Sequence, residues 1–216
     1  MTPRAVTTML ERFAEQDPDP RCELTFTNPY TLLVAVVLSA QATDVGVNKA
    51  TAALFAEIDT PAKMLALGEA RLKDAVKSIN LYPTKARNIL ALSQRLVDDW
   101  KGEVPADRDA LESLPGVGRK SANVVLNVAF GQPTLAVDTH VFRVAHRLGL
   151  AEGSTPRAVE DVLNRVIPED QRRNASHWLV LHGRYICRAR APACPTCFLR
   201  DLCAFFQDAP GGVDAT

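Results

Sequence analysis

The chain has 216 residues, of which 47% are hydrophobic, and its 25 lysines and arginines are balanced by 25 aspartates and glutamates. These values exclude a histone-like basic protein, an acidic tail and an intrinsically disordered chain, because each needs a large charge imbalance or too few apolar residues to form a core. A chain of this length can bury about 70% of its unfolded surface, so we expect a soluble globular protein of one or two domains.

The amino-terminal segment lacks the features of an export signal. Charges at Glu11, Arg12 and Glu15 lie where a signal peptide needs an apolar stretch. The longest apolar run, Leu32–Leu38, is far shorter than the roughly 20 residues that cross a bilayer. We therefore expect neither export nor a membrane span, and we predict a cytoplasmic protein whose cysteines stay reduced.

Helix signals dominate the chain from its amino terminus onward. A capping box is predicted at Thr8 to Glu11. A capping side chain followed by proline predicts three helix starts, at Asn28-Pro29, Thr60-Pro61 and Thr155-Pro156. Asp107 is predicted to cap a helix running to Leu114, and Gly131 and Gly149 are predicted to end helices in the left-handed conformation. No segment reads as a β-hairpin, so the predicted class is all-α with about ten short helices.

Charge is segregated along the chain although it sums to zero. Residues 171–200 contain six arginines and no acidic residue, whereas residues 98–112 contain six acidic residues and two basic ones. A solvated helix face explains any single arginine cluster at least as well as nucleic-acid contact does. Net charge alone therefore identifies no partner.

Four of the five cysteines lie within 17 residues, in the pattern C-x6-C-x2-C-x5-C: Cys187, Cys194, Cys197 and Cys203. In a reducing compartment, thiols grouped in this way are more often metal ligands or catalytic groups than disulfides. The spacing matches neither the usual zinc knuckles nor the bacterial ferredoxin motif, so the residues alone leave iron–sulfur and zinc open. Cys22 stands alone and is expected to be a core thiol.

The segment Leu114–Lys120, with the sequence LPGVGRK, predicts a tight turn between two helices. Gly116 and Gly118 let the backbone approach a ligand closely, and the amides at the start of the second helix favour a phosphate oxygen. The segment is not a Walker loop, and a plain inter-helix turn explains the glycines equally well. Lys120 favours a functional interpretation, because a lysine in the first turn interacts unfavourably with the helix dipole.

Asp138 directly precedes the helical pattern HVFRVAHRLGL, so its position predicts an ordinary helix N-cap. Capping does not exclude catalysis. A carboxylate held by helix amides is placed rigidly, which suits a group that stabilises positive charge or takes a proton.

Three segments together resemble the endonuclease III family of helix-hairpin-helix DNA glycosylases. They are LSAQATDVGVNKAT at residues 38–51, LPGVGRKSANVVLNVAFGQPTLAVDTHVFR at 114–143 and HGRYICRARAPACPTCFLRDLC at 182–203. The resemblance covers nearly the whole chain and implies two all-α domains with a DNA cleft between them. A six-helix barrel domain with the helix-hairpin-helix motif is expected at residues 23–132, an iron–sulfur cluster domain at 1–22 and 133–207, and a disordered tail at 208–216.

The same resemblance implies a bifunctional repair enzyme. Lys120 matches the nucleophile of the family and Asp138 its aspartate. The implied enzyme removes oxidised pyrimidines from duplex DNA and cleaves the strand 3′ to the abasic site by β-elimination through a lysine Schiff base. The four cysteines are implied to bind a 4Fe-4S cluster and not zinc. His140 matches a family position near the aspartate, but a cap-region histidine explains it equally well, and we give it no catalytic role.

The family also implies how the chain binds its partner, damaged double-stranded DNA. Gln41 is implied to fill the gap opposite the orphan base, and Leu81 to insert as an apolar wedge. The other implied DNA-binding residues are Gly116, Gly118, Arg119, Arg143, Arg184 and Arg190. Our hypothesis is that these arginines, with Lys120, Arg188 and Arg200, line one DNA-facing side. A monomer without an obligatory protein partner is expected.

The wedge loop departs from the family pattern at two positions. Asn80 stands where the family usually has glycine, and Pro83 follows Tyr82. We therefore predict a stiffer loop with an altered damage preference or turnover, in which Asn80 tolerates a positive φ better than most residues would.

Two other functions fit part of the pattern. An adenine-mismatch glycosylase of the same superfamily shares the cysteine spacing but lacks the lysine and carries an extra carboxyl-terminal domain. Lys120 and the 13 residues after Cys203 argue against it. A non-catalytic DNA-binding module with a structural metal would use Lys120 only to contact phosphate.

Overall fold

The structure is a computed structural model that describes residues 1–208. Within this range it is all helical, as predicted. The tail predicted to be disordered lies outside the described residues, apart from Asp208. The chain forms two compact units, one of Cys22–Gln132 and the other of Met1–Arg21 with the residues from Pro133 onward. None of the described helices is long and apolar enough to span a membrane.

Twelve α-helices and one 3-10 turn make up the described part of the chain. In order they are α1 (Pro3–Gln16), α2 (Pro29–Ser39), α3 (Asp44–Glu57), α4 (Pro61–Leu67), α5 (Glu69–Ala75), α6 (Tyr82–Trp100), α7 (Arg108–Glu112), α8 (Arg119–Phe130), α9 (Thr139–Leu148), α10 (Pro156–Val166), α11 (Glu169–Tyr185), the 3-10 turn (Cys194–Thr196) and α12 (Ala204–Gln207). The number exceeds the predicted ten because α5, α7 and α12 span only four to seven residues each.

Helix α2 is the centre of the unit formed by residues 22–132. It is buried from Tyr30 to Leu38 and packs against α3, α6 and α8. A helix that is apolar on all sides is stable only when neighbours surround it completely. Its start is fixed by a capping box in which Asn28 Oδ1 accepts from the Thr31 amide at 2.9 Å and Thr31 Oγ1 accepts from the Asn28 amide at 3.0 Å. The loops at the ends of α2 and α6 are therefore held by a rigid core.

The second unit combines α1 with the carboxyl-terminal helices. Helix α11 packs against α9 and α1. The Phe13 ring of α1 stacks on Trp178 at 5.7 Å between centroids and meets the rings of His182 and Phe198 edge-on. Trp178 Nε1 donates to the Asp17 carbonyl at 2.8 Å, so its polar edge is satisfied. These contacts anchor the amino terminus to the helix that leads into the cysteines.

Most predicted helix boundaries are confirmed. The caps at Asn28, Thr60, Asp107 and Thr155 each accept a hydrogen bond from a first-turn amide. The glycines at 131 and 149 end their helices with φ of 66° and 71°.

The predicted capping box at Thr8 to Glu11 is wrong. Helix α1 begins at Pro3, and Thr2 caps it through the Ala5 amide at 3.3 Å. Thr2-Pro3 carries the same signal as the three confirmed starts, a capping side chain followed by a proline that needs no donor. Helix α7 ends at Glu112, slightly before the predicted Leu114.

Candidate active site and cysteine cluster

Lys120 lies exposed at the second position of α8, directly after the turn that joins α7 to α8. Gly116 in this turn has a φ of 81°, and a Cβ there would lie 2.9 Å from Asn88 Nδ2. Gly118 is different, because its φ of −99° suits any residue and a Cβ would meet open space. The fold therefore requires glycine at 116 but not at 118, where the missing side chain leaves the first turn of α8 open to an approaching ligand.

Arg119 braces the two helices of this hairpin. Its guanidinium lies 3.6 Å from the carboxylate of Glu112, the last residue of α7, and the side chain is half-buried. The structure thus gives Arg119, a predicted DNA-binding residue, a partner inside its own unit.

Gln41 and Leu81 are both exposed corner residues of the same unit. Gln41, between α2 and α3, has a φ of 55°, and Leu81, just before α6, has a φ of 58° and is 55% exposed. The residue with a positive φ in the wedge loop is therefore Leu81 and not Asn80, the residue that the sequence favoured for this conformation. Pro83 lies in the first turn of α6, where proline is accommodated without loss of a hydrogen bond.

Asp138 caps α9, as predicted. Its Oδ1 atom accepts from the amides of His140 at 2.8 Å and Val141 at 2.9 Å, and the residue is half-buried. Both bonds use one oxygen, so capping does not use Oδ2. The backbone thus fixes the carboxylate in position.

Arg143 connects α9 to the end of α11. It donates from Nη2 to the Gly183 carbonyl at 2.8 Å and from Nε to the Cys187 carbonyl at 3.0 Å, and its Nη2 lies 3.3 Å from His140 Nδ1. A Cβ on Gly183 would come within 2.8 Å of the His140 Cβ, so α9 and α11 are in close contact here. The predicted DNA-binding residue Arg143 therefore has an internal bracing role in this structure.

The four cysteines line one pocket, whose remaining walls are largely apolar and include Leu148, Ile186, Phe205 and Phe206. Two cationic or polar side chains reach the sulfurs. Arg147 Nη1 lies 3.5 Å from Cys187 Sγ, and His182 Nε2 lies 3.7 Å from Cys197 Sγ. Sequence reasoning missed both residues, since neither belongs to the cysteine motif.

Burial dominates the electrostatics of this pocket. It raises the pKa of the Cys194, Cys197 and Cys203 thiols, and the neighbouring cysteines add to the effect. Burial also lowers the pKa of His182 to about 4, which leaves the imidazole neutral near pH 7. Within residues 1–208, no three His, Cys, Asp or Glu side chains form a group able to hold a single metal ion, although the four cysteines line one pocket.

Arginines also brace the backbone of the cysteine loop. Arg147 donates to the carbonyls of Arg188 at 2.7 Å and Ala189 at 3.2 Å. In the same loop, Arg188 donates to the carbonyl of Ala191 at 3.1 Å, and Arg200 donates to that of Pro195 at 2.8 Å. Arg190 is exposed and Arg184 half-buried. Part of the arginine-rich segment thus satisfies carbonyls that no helix or strand pairs.

Comparison with known proteins gives consistent matches. Residues 34–169 match the family model described as HhH-GPD superfamily base excision DNA repair protein. The chain is 58% identical to endonuclease III of Treponema pallidum (strain Nichols), over 93% of this chain and 95% of that protein. It is 53% identical to endonuclease III of Escherichia coli (strain K12), over 91% of this chain and 93% of that protein.

Solved structures agree with these sequence matches. A trapped endonuclease III–DNA covalent intermediate superposes with a TM-score of 0.90 at 47% identity, covering 95% of this chain and 97% of that one. A thermostable thymine-DNA glycosylase gives a TM-score of 0.83 at 23% identity, with 95% and 98% covered, and this likeness concerns the fold alone.

Proposed function

This chain belongs to the HhH-GPD superfamily of base excision DNA repair proteins, and from that premise we propose that Lys120 and Asp138 carry out its chemistry on damaged DNA. The chain is a DNA glycosylase with AP lyase activity of the endonuclease III type, and its partner is DNA. The observation that carries our residue assignment is the exposed Lys120 beside the open first turn of α8.

Lys120 is the proposed nucleophile. Its unprotonated amine attacks C1′ of the damaged nucleotide, the bond from C1′ to the base breaks, and its electron pair leaves with the base. The sugar ring then opens as the nitrogen forms a Schiff base with C1′. Because the Schiff base acidifies the C2′ proton, a base removes that proton and the 3′ phosphate departs, which cleaves the strand. The backbone amides in the first turn of α8 suit a phosphate of the same DNA strand.

Asp138 is the proposed proton acceptor and charge stabiliser. The amides of His140 and Val141 fix its Oδ1, while Oδ2 stays available for a second role. A carboxylate placed in this way can take the proton that Lys120 loses, and it can stabilise the positive charge that develops on the sugar as the base departs.

Gln41 and Leu81 are proposed to hold the DNA open while the base is displaced. A base inside a duplex must leave the stack at a cost of a few kcal/mol, least for a damaged or badly paired base. Leu81 offers an exposed apolar side chain on a sharp corner, and Gln41 an exposed polar one. We assign oxidised pyrimidines as substrates, and we assign the backbone at Gly116 and Gly118, with the side chains of Arg119, Arg143, Arg184 and Arg190, to contacts with the DNA backbone.

We further propose that Cys187, Cys194, Cys197 and Cys203 hold a 4Fe-4S cluster. The donors are all thiols, which is the ligand set of such clusters, and all four line one pocket. When bound, the cluster supplies iron ions that take the four thiolates as ligands and cross-link the loop. Arg147 and His182, which reach the sulfurs of Cys187 and Cys197, would donate hydrogen bonds to the bound thiolates. A bacterial cytoplasm, with the nucleoid as the site of action, suits reduced thiols and a DNA substrate.

Borohydride trapping tests the lyase assignment. Sodium borohydride reduces a Schiff base to a stable amine, so wild-type protein should form a covalent adduct with a duplex that contains an abasic site. Lys120→Ala should form none. Lys63→Ala is the matched control, because Lys63 is an exposed lysine of the same unit that pairs with Asp59. Strand cleavage by Lys120→Ala would overturn the assignment of Lys120 as the nucleophile. The absence of a wild-type adduct would favour a DNA-binding module without catalysis.

A further inference from the structure

Lys85 is a buried lysine in the unit formed by residues 22–132. It is only 6% exposed, and its ammonium donates to the backbone carbonyls of Leu38 at 2.8 Å and Ala40 at 2.5 Å. Burial lowers the pKa of Lys85, because the charged form loses its hydration. An apolar side chain would fill this position without that cost. The reason for a lysine therefore lies in the two carbonyls that it holds.

These carbonyls lie at the carboxyl end of the central helix α2. The last carbonyls of a helix lack partners within the helix and carry the negative end of its dipole, so they suit an ammonium group. Gln41, the residue after Ala40, adopts a left-handed conformation, which is strained for a residue with a Cβ. The Ala42 amide closes this turn on the Ser39 carbonyl at 3.0 Å. Lys85 thus fixes the backbone immediately before Gln41.

The same lysine is bonded to the wedge corner through its own backbone. The Leu81 carbonyl accepts from the Lys85 amide and from the Thr84 amide, each at 3.1 Å. Leu81 directly precedes α6, and Lys85 lies in the first turn of that helix. Lys85 therefore links Leu81 to Ala40, through its amide at one end and its ammonium group at the other. Leu81 is one exposed corner, and Gln41, the other, directly follows Ala40.

The face of α6 that carries Lys85 continues to the hairpin that carries Lys120. Asn88 follows Lys85 by three positions and lies against Gly116, where any Cβ would come within 2.9 Å of its side chain. Lys85 and Asn88 thus lie on one face of α6. Together with the hydrogen bond from the Lys85 amide to Leu81, this face contacts all three loops of the unit that the proposed function assigns to DNA.

We propose that Lys85 is a positioning residue for base displacement, which holds Gln41 and Leu81 at a fixed separation so that gap filling and wedging occur together. The proposal rests on the proposed function, because it takes Gln41 and Leu81 as the residues that enter the DNA. Lys85 itself contacts no reacting atom. Misplacement of a bound group by about 1 Å can cost about 100-fold in rate, so a loosened corner should be measurable.

The test compares two single-turnover rates of the full-length protein. The first is excision of an oxidised pyrimidine from a duplex, which requires base displacement. The second is formation of a borohydride-trapped adduct on a single-stranded oligonucleotide with an abasic site, which has no opposite base and no gap to fill. Lys85→Met keeps a long side chain but removes the donors. We expect a loss of about 10- to 100-fold in duplex excision and of less than about threefold in single-strand trapping.

Tyr30→Phe is the matched control. It removes the buried hydrogen bond of 2.6 Å between Tyr30 Oη and Ser93 Oγ, which also joins α2 to α6 but at the opposite end of α2. This variant should lose stability and keep the wild-type ratio of the two rates. Lys85→Gln, which retains an amide donor on a shorter side chain, tests the proposal if Lys85→Met does not fold. The ratio of its two rates should lie between the ratios of the wild type and Lys85→Met.

The proposal is overturned if a folded Lys85→Met or Lys85→Gln protein keeps the wild-type ratio, or loses both rates equally. It also predicts that Lys85→Met causes no further loss in the background of Gln41→Ala with Leu81→Ala, whereas full additivity would contradict it. A failure of the proposed function is distinguishable, because the wild-type protein itself would then form no adduct with the single strand.

Discussion

Replacing Asp138 separates its capping role from its proposed catalytic role. The Asp138→Asn variant keeps an oxygen that can accept from the amides of His140 and Val141, and asparagine equals aspartate as an N-cap residue. It loses only the interaction of a negative charge with the helix dipole, about 0.3–1 kcal/mol. Asp138→Ala loses both hydrogen bonds as well, so its cost should reach about 2 kcal/mol.

These free energies correspond to distinct melting temperatures. For a chain of this size, 1 kcal/mol shifts Tm by about 2–4 °C, so Asp138→Asn should lose at most about 4 °C and Asp138→Ala about 4–8 °C. Both variants should lose activity, because neither accepts a proton, and general acid–base catalysis contributes about 100- to 10,000-fold. Circular dichroism measures the first effect and single-turnover excision the second.

Thr155→Ala is the matched control for the loss of a cap. Thr155 caps α10 of the same unit through the Ala158 amide at 3.2 Å and has no proposed role in the reaction. The variant should lose stability, as Asp138→Ala does, but keep its excision rate. If Asp138→Asn excises and cleaves within about threefold of the wild-type rate, the carboxylate is only a cap and the catalytic assignment is wrong.

Three further predictions follow from local geometry. Gly118→Ala should change the free energy of unfolding by less than about 1 kcal/mol but weaken DNA binding measured by fluorescence anisotropy, whereas Gly116→Ala, with its positive φ, should cost more than about 1 kcal/mol in urea unfolding. Unchanged DNA affinity of Gly118→Ala would refute close backbone approach. Tyr30→Phe should cost about 1–2 kcal/mol in urea unfolding because the buried Ser93 hydroxyl loses one of its two hydrogen bonds and keeps only the one to the Ile89 carbonyl, and an unchanged midpoint would contradict this. Cys197→Ser should lose iron by elemental analysis together with any visible thiolate-to-iron absorption, whereas stoichiometric zinc in the wild-type protein would refute the cluster.

The helix starts were predictable because their cause is local. A capping side chain and a following proline act within one turn, and the starts at Pro29, Pro61 and Pro156 appear as predicted. The same rule places the start of α1 at Pro3, so the erroneous capping box at Thr8 reflects the choice of the wrong local signal and not a tertiary effect.

The wedge corner was not predictable in the same way. Asparagine tolerates a positive φ better than leucine does, so residue type alone favours Asn80. In the structure the left-handed residue is Leu81, whose carbonyl receives the first amides of α6. Where helix α6 begins decides which residue turns the corner, and the packing of α6 on α2 and α4 sets that point. Tertiary packing thus overrides side-chain preference here.

Lys85 was missed for a related reason. A lysine between Thr84 and Ala86 in the sequence looks like any surface residue of a helix, because lysines are almost never fully buried. Its burial depends on where α2 ends, which no pattern near residue 85 encodes. The arginines near the cysteines were found from the sequence because they are clustered there. Their carbonyl partners could not be predicted, because these depend on the folded path of the loop.

The balance of 25 basic and 25 acidic residues is compatible with DNA binding, because the acidic and the basic side chains have different kinds of partner. Several acids of residues 98–112 are engaged within their own unit, since Asp99 pairs with Arg95, Glu112 pairs with Arg119 and Asp107 caps α7. Arg188 and Arg200 instead donate to neutral carbonyls. A neutral carbonyl leaves the positive charge of an arginine uncompensated, whereas a carboxylate partner offsets it, so the cysteine loop retains net positive charge for phosphate. DNA affinity should consequently fall with rising salt concentration despite the zero net charge of the chain.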